Sequence, residues 1–119
     1  MALGNSITEG AGGDATYRCW LWNTVTDDGH AVDMVGSRTG VWGGVTGYPD
    51  PSDETESACP YAAFDEDHEG HLAWKTDHVL YGNTDPDYGY LGTLSDWAAA
   101  APPDIALVHL GTNDIDRGD

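Results

Sequence analysis

Basic residues are almost missing from this chain: Lys75 is the lone lysine, and four Lys and Arg together face 21 Asp and Glu, for a formal net charge of -17. Such a chain repels phosphates and has no basic patch from which to release counterions, so nucleic acid is excluded as a partner class. Long apolar runs are missing too. No segment approaches the length of a membrane helix, and no signal-peptide pattern precedes the first strand, so the chain carries no address and no membrane partner is expected. Because Met1 leads straight into a core strand, the chain reads as a piece of one domain, 1–119, truncated at both ends.

Cysteine is limited to Cys19 and Cys59. Their spacing suggests neither a disulfide framework nor a metal site. One bridge between them is open, but Cys19 lies beside Trp20 and Leu21 in an expected helix, and both are read as small core residues. A hydrophobic fraction of 39% predicts a modest core, in a domain large enough to bury about two-thirds of the unfolded surface. The carboxylates are spread along the whole chain, and none falls into calcium-loop spacing. That pattern is similar to proteins of salt-loving organisms; an ordinary acidic secreted protein is the alternative. Either way, self-repulsion opposes compaction at low salt and is largely screened at about 1 M, where the Debye length is ~3 Å.

What is present begins with residues 1–10. The apolar run Met1 to Leu3 reads as the end of a buried strand, Gly4 allows a sharp turn, and Ser6 follows, with Thr8 and Glu9 suited to a first helical turn. A serine at such a corner is exposed in the positive field of a helix N-terminus; it also serves as a plain helix cap. Tyr17, Leu21 and Val25 recur at helical spacing and predict a helix of about three turns, stopped at Asp28-Gly29. Val32, Met34 and Val35 predict a second strand closed by Gly36, the size of a βαβ unit. Residues 38–66 are rich in glycine, proline and acids, with Trp42, Tyr48, Tyr61 and Phe64 scattered in what reads as a long loop. Those aromatics suit stacking on a sugar ring, or anchoring of the loop onto the body.

Trp74, His78 and Tyr81 share one helical face, with Val79 and Leu80 beside it. A loop follows at Asn83-Thr84-Asp85-Pro86. Leu91, Leu94, Trp97 and Ala98 mark a further helix that Pro102-Pro103 ends. Residues 105–110, apolar except His109, predict a parallel strand covered on both faces, ending at Gly111-Thr112-Asn113-Asp114. Alternating strands and helices argue for a layered α/β sheet.

Four blocks in order resemble a known family. Gly4-Asn5-Ser6-Ile7-Thr8 resembles the first block of the SGNH (GDSL-type) hydrolases, usually Gly-Asp-Ser-Ile/Leu, and Gly111-Thr112-Asn113-Asp114 resembles their third. Between them, Val32-Asp33-Met34-Val35-Gly36-Ser37 and Asp67-His68-Glu69-Gly70-His71-Leu72-Ala73-Trp74 are similar to the acetylxylan-esterase-like branch of carbohydrate esterases. The resemblance implies a three-layer, flavodoxin-like α/β sheet, incomplete here with about three parallel strands of the usual five, and a site outside the carboxyl ends of the strands. It implies Ser6 as nucleophile toward a small-molecule or carbohydrate ester, with no cofactor. The backbone N–H groups of Ser6 and Ala73 and the Asn113 amide would serve the oxyanion; such donors are each worth roughly 3–4 kcal/mol in the transition state.

Three departures accompany the resemblance. Asn5 stands where the family usually has Asp. Ala73 stands at the family's oxyanion glycine, where a positive φ would strain it. The family's catalytic Asp-x-x-His block, which follows the third block, does not occur between Asn113 and Asp119. Without a base, serine is a weak nucleophile; loss of the serine or histidine from another hydrolase's triad costs on the order of a millionfold in turnover. The resident histidines read otherwise: His30 as a surface residue, His68 and His71 as site wall or structure, and His78 and His109 as packed imidazoles. Asp67, His68 and His71 lack the further ligands of a metal site. The expectation is therefore an SGNH-type esterase segment, inactive by itself, with an exposed sheet edge at residues 105–110 prone to association. A carbohydrate-binding protein without catalysis, or a fragment without function, are the alternatives.

Overall fold

The computed structural model describes residues 1–44, 53–84 and 91–116. Tyr48 and the Asp85-Pro86 part of the expected loop lie outside them. The central strand is β1 (Ala2–Gly4), buried along its length. It is flanked in parallel by β4 (Glu69–Gly70) and β5 (Leu107–His109), in the order β4-β1-β5. Leu3 stands opposite both Glu69 and Val108. Alternation along β1 sends Met1 and Leu3 into a cluster with Trp74, Val79 and Trp97, under α3 (Thr76–Tyr81) and α4 (Leu94–Ala100). Ala2 faces the other way, toward a groove bordered by Leu21, Trp22 and Val25 of α2 (Thr16–Asp27). Helix, sheet and helix pair make the three layers expected of this α/β architecture. Among the described residues, no helix is long and apolar enough to cross a membrane.

Close backbone approach explains two glycines. A Cβ on Gly4 would lie 2.2 Å from Thr8 Oγ1 and 2.6 Å from the His109 carbonyl, and one on Gly70 would lie 2.5 Å from Glu9 N. The single turn α1 (Ser6–Glu9) thus seats directly on the sheet. Helix α2 ends where the sequence predicted, with Gly29 at φ 87°. Its most buried residues, however, are Arg18 and Cys19, while Tyr17, Leu21 and Val25 are half-buried.

Four expectations are corrected. The second strand of the sheet is β4, not residues 32–35. In that stretch carboxylates capture the amides: Met34 N donates to Asp65 (2.8 Å) and Ser37 N to Glu69 (2.6 Å). Residues 105–110 are not covered on both faces. As the edge partner of β1 alone, β5 leaves Val108 61% and Leu107 42% exposed, and His109 is exposed as well, not packed. The 38–66 segment is not all loop, since β2 (Val41–Trp42) and β3 (Glu54–Thr55) pair antiparallel. Lastly, Cys19 and Cys59 are not free core thiols; they form a disulfide across 40 residues with a Cα–Cα distance of 5.8 Å.

That bridge begins a seam along α2. Tyr61 meets Trp20 edge to face (5.8 Å), Phe64 meets Trp22 (6.0 Å), and the Arg18 guanidinium lies over Phe64 (5.9 Å). The loop aromatics Tyr61 and Phe64 therefore act as anchors. Arg18 is fully buried and donates to four carbonyls: Thr8 (2.8 Å), Glu66 (2.7 Å), Glu9 (3.1 Å) and Gly40 (2.5 Å). Beside it, Arg38 bridges Glu9 (2.9 Å) and Glu54 (2.5 Å).

Loss of the disulfide, by Cys59→Ser or by reduction, is expected to cost about 3–4 kcal/mol for a loop of this length. Urea melts with and without reductant measure it, and an unchanged midpoint would refute the bridge.

Acid behaviour follows from three buried groups. Burial raises the Glu9 carboxyl to about 7, against the pull of Arg38, and lowers His68 to about 2. His71 is also lowered by burial, against the pull of Glu69. Between pH 6.5 and 4.5 the unfolded chain protonates His68, which the fold keeps neutral, and ionises Glu9, which the fold keeps protonated, so these two offset each other. His71, held below its ordinary value, adds to the proton uptake on unfolding, so stability falls on acidification through the range in which a free imidazole titrates. Glu9→Gln removes the opposing proton and is expected to steepen the loss by about 1.4 kcal/mol per unit, as read from urea midpoints against pH.

Candidate functional site

The carboxyl ends of β1, β4 and β5 open on the same edge of the sheet, and each is followed by one of the residues singled out from the sequence. After β1, Asn5 is buried and caps α1, its side-chain oxygen accepting from Ile7 N (3.1 Å). The Asn5 amide thus serves as the helix-capping acceptor there without a charge. Ser6 begins the turn and is half-buried; its carbonyl accepts from Gly10 N (2.8 Å). With four residues, α1 has only a small dipole to offer Ser6.

After β4, His71 N donates to the Gly4 carbonyl (2.9 Å), and Trp74 N turns back to the His71 carbonyl (3.2 Å). Ala73, inside this turn, has φ 63°. The strain conditional on positive φ is thus present, and alanine occupies a backbone conformation better suited to glycine. After β5, α5 (Thr112–Asp116) carries Asn113, whose amide donates to the Trp74 carbonyl (2.8 Å). Asp114 accepts from Thr76 N (3.1 Å) and Thr76 Oγ1 (3.2 Å). Asn113 and the Ala73 turn are thereby latched together. One Asn113 N–H is committed to the latch, and a primary amide has two.

Ser6 also lines an open groove of about 520 Å³ with Ile7, Gly10, Asp14, Ala15, Thr16, Tyr17 and Trp20. Ala73 and Asn113 do not line it. Sequence reading missed this groove, although Tyr17 and Trp20, three apart on a helix, were its available signal.

The histidines are placed as follows. His71 is fully buried, stacked on Trp74 (4.4 Å) and Trp97 (4.7 Å), with Nε2 2.7 Å from Glu69. Being neutral, it donates that Nε2–H to the carboxylate, which also accepts from the Ser37 hydroxyl (2.6 Å). Fully buried against two indoles, its ring has no opening to a substrate. His68 is equally buried, and its Nδ1 accepts from Gly70 N (2.9 Å). His78 is half-buried beside the N-terminus of α3, and His30 is exposed. No group of three or more His, Cys, Asp or Glu among the described residues is placed to hold a metal ion.

No protein-family model and no curated relative matches the chain. Solved structures do. A crystal structure of a serine-to-alanine mutant of an acetyl esterase with acetate ion is 28% identical, with a TM-score of 0.65. That of a carbohydrate esterase family 3 protein from Talaromyces cellulolyticus is 30% identical, with a TM-score of 0.63. Each alignment covers 99% of this chain and 45% of the other; the chain spans less than half the length of the proteins it matches.

Relief of the strain at Ala73 is measurable. Ala73→Gly is expected to preserve the fold and raise stability by about 0.5–1 kcal/mol, the left-handed penalty less glycine's entropy cost. A lower urea midpoint in the glycine variant would contradict the strained conformation.

Proposed function

We propose that this chain, whose fold along its whole length is that of the SGNH-type carbohydrate esterases, is the nucleophile-bearing portion of an ester hydrolase acting on acylated carbohydrates. Ser6 is the nucleophile. Its hydroxyl attacks the ester carbonyl, the alcohol leaves with a proton, and water then releases the acid from the acyl-serine. The backbone N–H groups of Ser6 and Ala73 and the free N–H of Asn113 are the oxyanion donors. The observation that carries this reading is the placement of Ser6, Ala73 and Asn113 after three adjacent parallel strands, at one sheet edge. It is the position where open α/β sheets bind ligands.

The base is the part not met by the described histidines, of which the two nearest β4 are sealed in the core. An Asp-His pair from a further segment or another chain supplies it in this proposal. The open edge of β5, with Leu107 and Val108 uncovered, is where added strands or a partner would pair. The Cys19–Cys59 bridge fits an oxidising compartment. A carbohydrate-binding role without catalysis is favoured by one observation, the opening of Ser6 into a groove that excludes the two other donor residues.

Hydrolysis of p-nitrophenyl acetate in high salt tests the proposal. The 119-residue chain is expected to stay near background, while a version extended by its downstream coding sequence turns over. Ser6→Ala in the extended version is expected to abolish turnover, by a factor on the order of a million if its triad behaves as others do. Turnover that survives Ser6→Ala would overturn the assignment, and its absence at either length would favour the binding role.

A further inference from the structure

We infer that the groove beside Ser6 is a subsite for a neutral β-linked sugar ring, with Trp20 as its stacking platform. This rests on the carbohydrate half of the proposed function and not on its catalytic half.

Trp20 is 52% exposed, yet it is not a loose surface side chain. Tyr61 meets it at 5.8 Å with the rings 89° apart, and the neighbouring Cys19 is covalently tied to Cys59. An indole held this firmly, with its remaining surface lining an open groove, loses little entropy when a flat partner stacks on it. Phe64 and Trp22 show the contrasting case, since both are half-buried and pack against each other.

The rest of the groove supplies polar contacts. The Tyr17 hydroxyl is shared with Thr8 Oγ1 (3.1 Å), and the Asp14 carboxylate accepts from Ala11 N (3.1 Å) with one of its oxygens. Thr16, also in the lining, has φ 59°, a conformation that β-branched residues rarely adopt. Its buried Oγ1 has no hydrogen-bond partner among the described residues. An open groove of about 520 Å³ with one aromatic wall and a few polar groups has room for a sugar ring laid along its surface.

Charge and shape select the occupant. The net charge of -17 and the Asp14 carboxylate in the wall disfavour phosphates and uronic acids. A β-linked pyranose with equatorial substituents presents a flat face of axial C–H bonds to an indole and hydroxyls at its rim to carboxylate and phenol. A sugar stacked there lies in the groove that Ser6 itself lines, so its acyl group is within the same cleft as the hydroxyl.

The test is titration of xylotetraose into the disulfide-bonded chain in high salt, followed by calorimetry and by NMR contacts between indole and sugar protons. Relative to wild type, Trp20→Ala is expected to bind about tenfold more weakly, and Trp20→Phe within a few-fold. Circular dichroism melts establish that each variant is folded. Should Trp20→Ala fail to fold, contacts from the Trp20 indole to the axial sugar protons in wild type decide the matter. Absence of xylotetraose binding in wild type, undiminished affinity in folded Trp20→Ala, or sugar contacts confined to other residues would overturn the subsite. Loss of Ser6-dependent hydrolysis with Trp20-dependent binding intact would remove the catalytic assignment and leave the subsite standing.

Discussion

The fold turns on one buried guanidinium. Arg18 joins carbonyls from the end of α1, the entry to β2 and the approach to β4, segments otherwise far apart in the sequence. The Glu66 carbonyl also accepts from Gly40 N (3.3 Å), but those of Thr8 and Glu9 depend on the guanidinium, and α1 is too short to satisfy its own ends. Lysine could not replace it, because an ammonium lacks the planar fork that reaches four acceptors in different directions. The guanidinium pKa is lowered to about 10 by burial, so the cation persists at neutral pH. The seam of Cys59, Tyr61 and Phe64 along α2 closes over this centre and holds it dry.

Charge composition then takes on a different meaning. Of four basic residues, Arg18 and Arg38 are inside, so the surface is more one-sidedly acidic than the net charge suggests. Several carboxylates are inside as well, and they work as acceptors. Glu9 and Glu54 hold Arg38, Glu66 takes the amide and hydroxyl of Ser57, and Glu69 takes those of Ser37 together with His71. Acidic residues here are partly an internal scaffold that replaces ladder hydrogen bonds. Only the remainder forms a solvated coat whose repulsion salt relieves.

That scaffold marks the limit of what the sequence could disclose. Helix α2 and its stop, α4 with its prolines and the β1–Ser6 corner were legible, because periodicity and turn chemistry are local; the count of three parallel strands came from the resemblance. The identity of the second strand was not. Val32, Met34 and Val35 have the better strand composition, yet Asp65 and Glu69 claim the amides of this segment from more than thirty residues away. The pairing of Cys19 with Cys59 was equally hidden, since two cysteines alone carry no pattern. The inward face of α2 was misjudged for the same reason: an arginine reads as surface until its acceptors, from distant segments, are in view. At the site, Ser6, Ala73 and Asn113 were singled out through resemblance, and the positive φ at Ala73 was stated as the condition for strain. The spacing of Tyr17 and Trp20 was a local signal for the groove, but the contact of Tyr61 with Trp20 across the loop has none.

The same long-range contacts decide how the site is divided. Asn113 and the Ala73 turn fix each other through the Trp74 carbonyl, while Asp114 holds the start of α3. This half of the site is one rigid piece, independent of α2. Ser6 belongs to the other half, through α1, whose position is set by Gly4, Gly70 and the Arg18 centre. The halves are joined by the parallel pairing of three short strands and by the seat of α1 on Gly70 of β4. The alignment of Ser6 with Ala73 and Asn113 is therefore a property of that sheet and of the seat of α1 on it, and whatever covers the bare edge of β5 bears on that alignment as well as on stability. A strand added there would stiffen β5 against β1 and carry its influence to Asn113 through Gly111, while leaving the Trp20 groove, on the α2 side, unchanged.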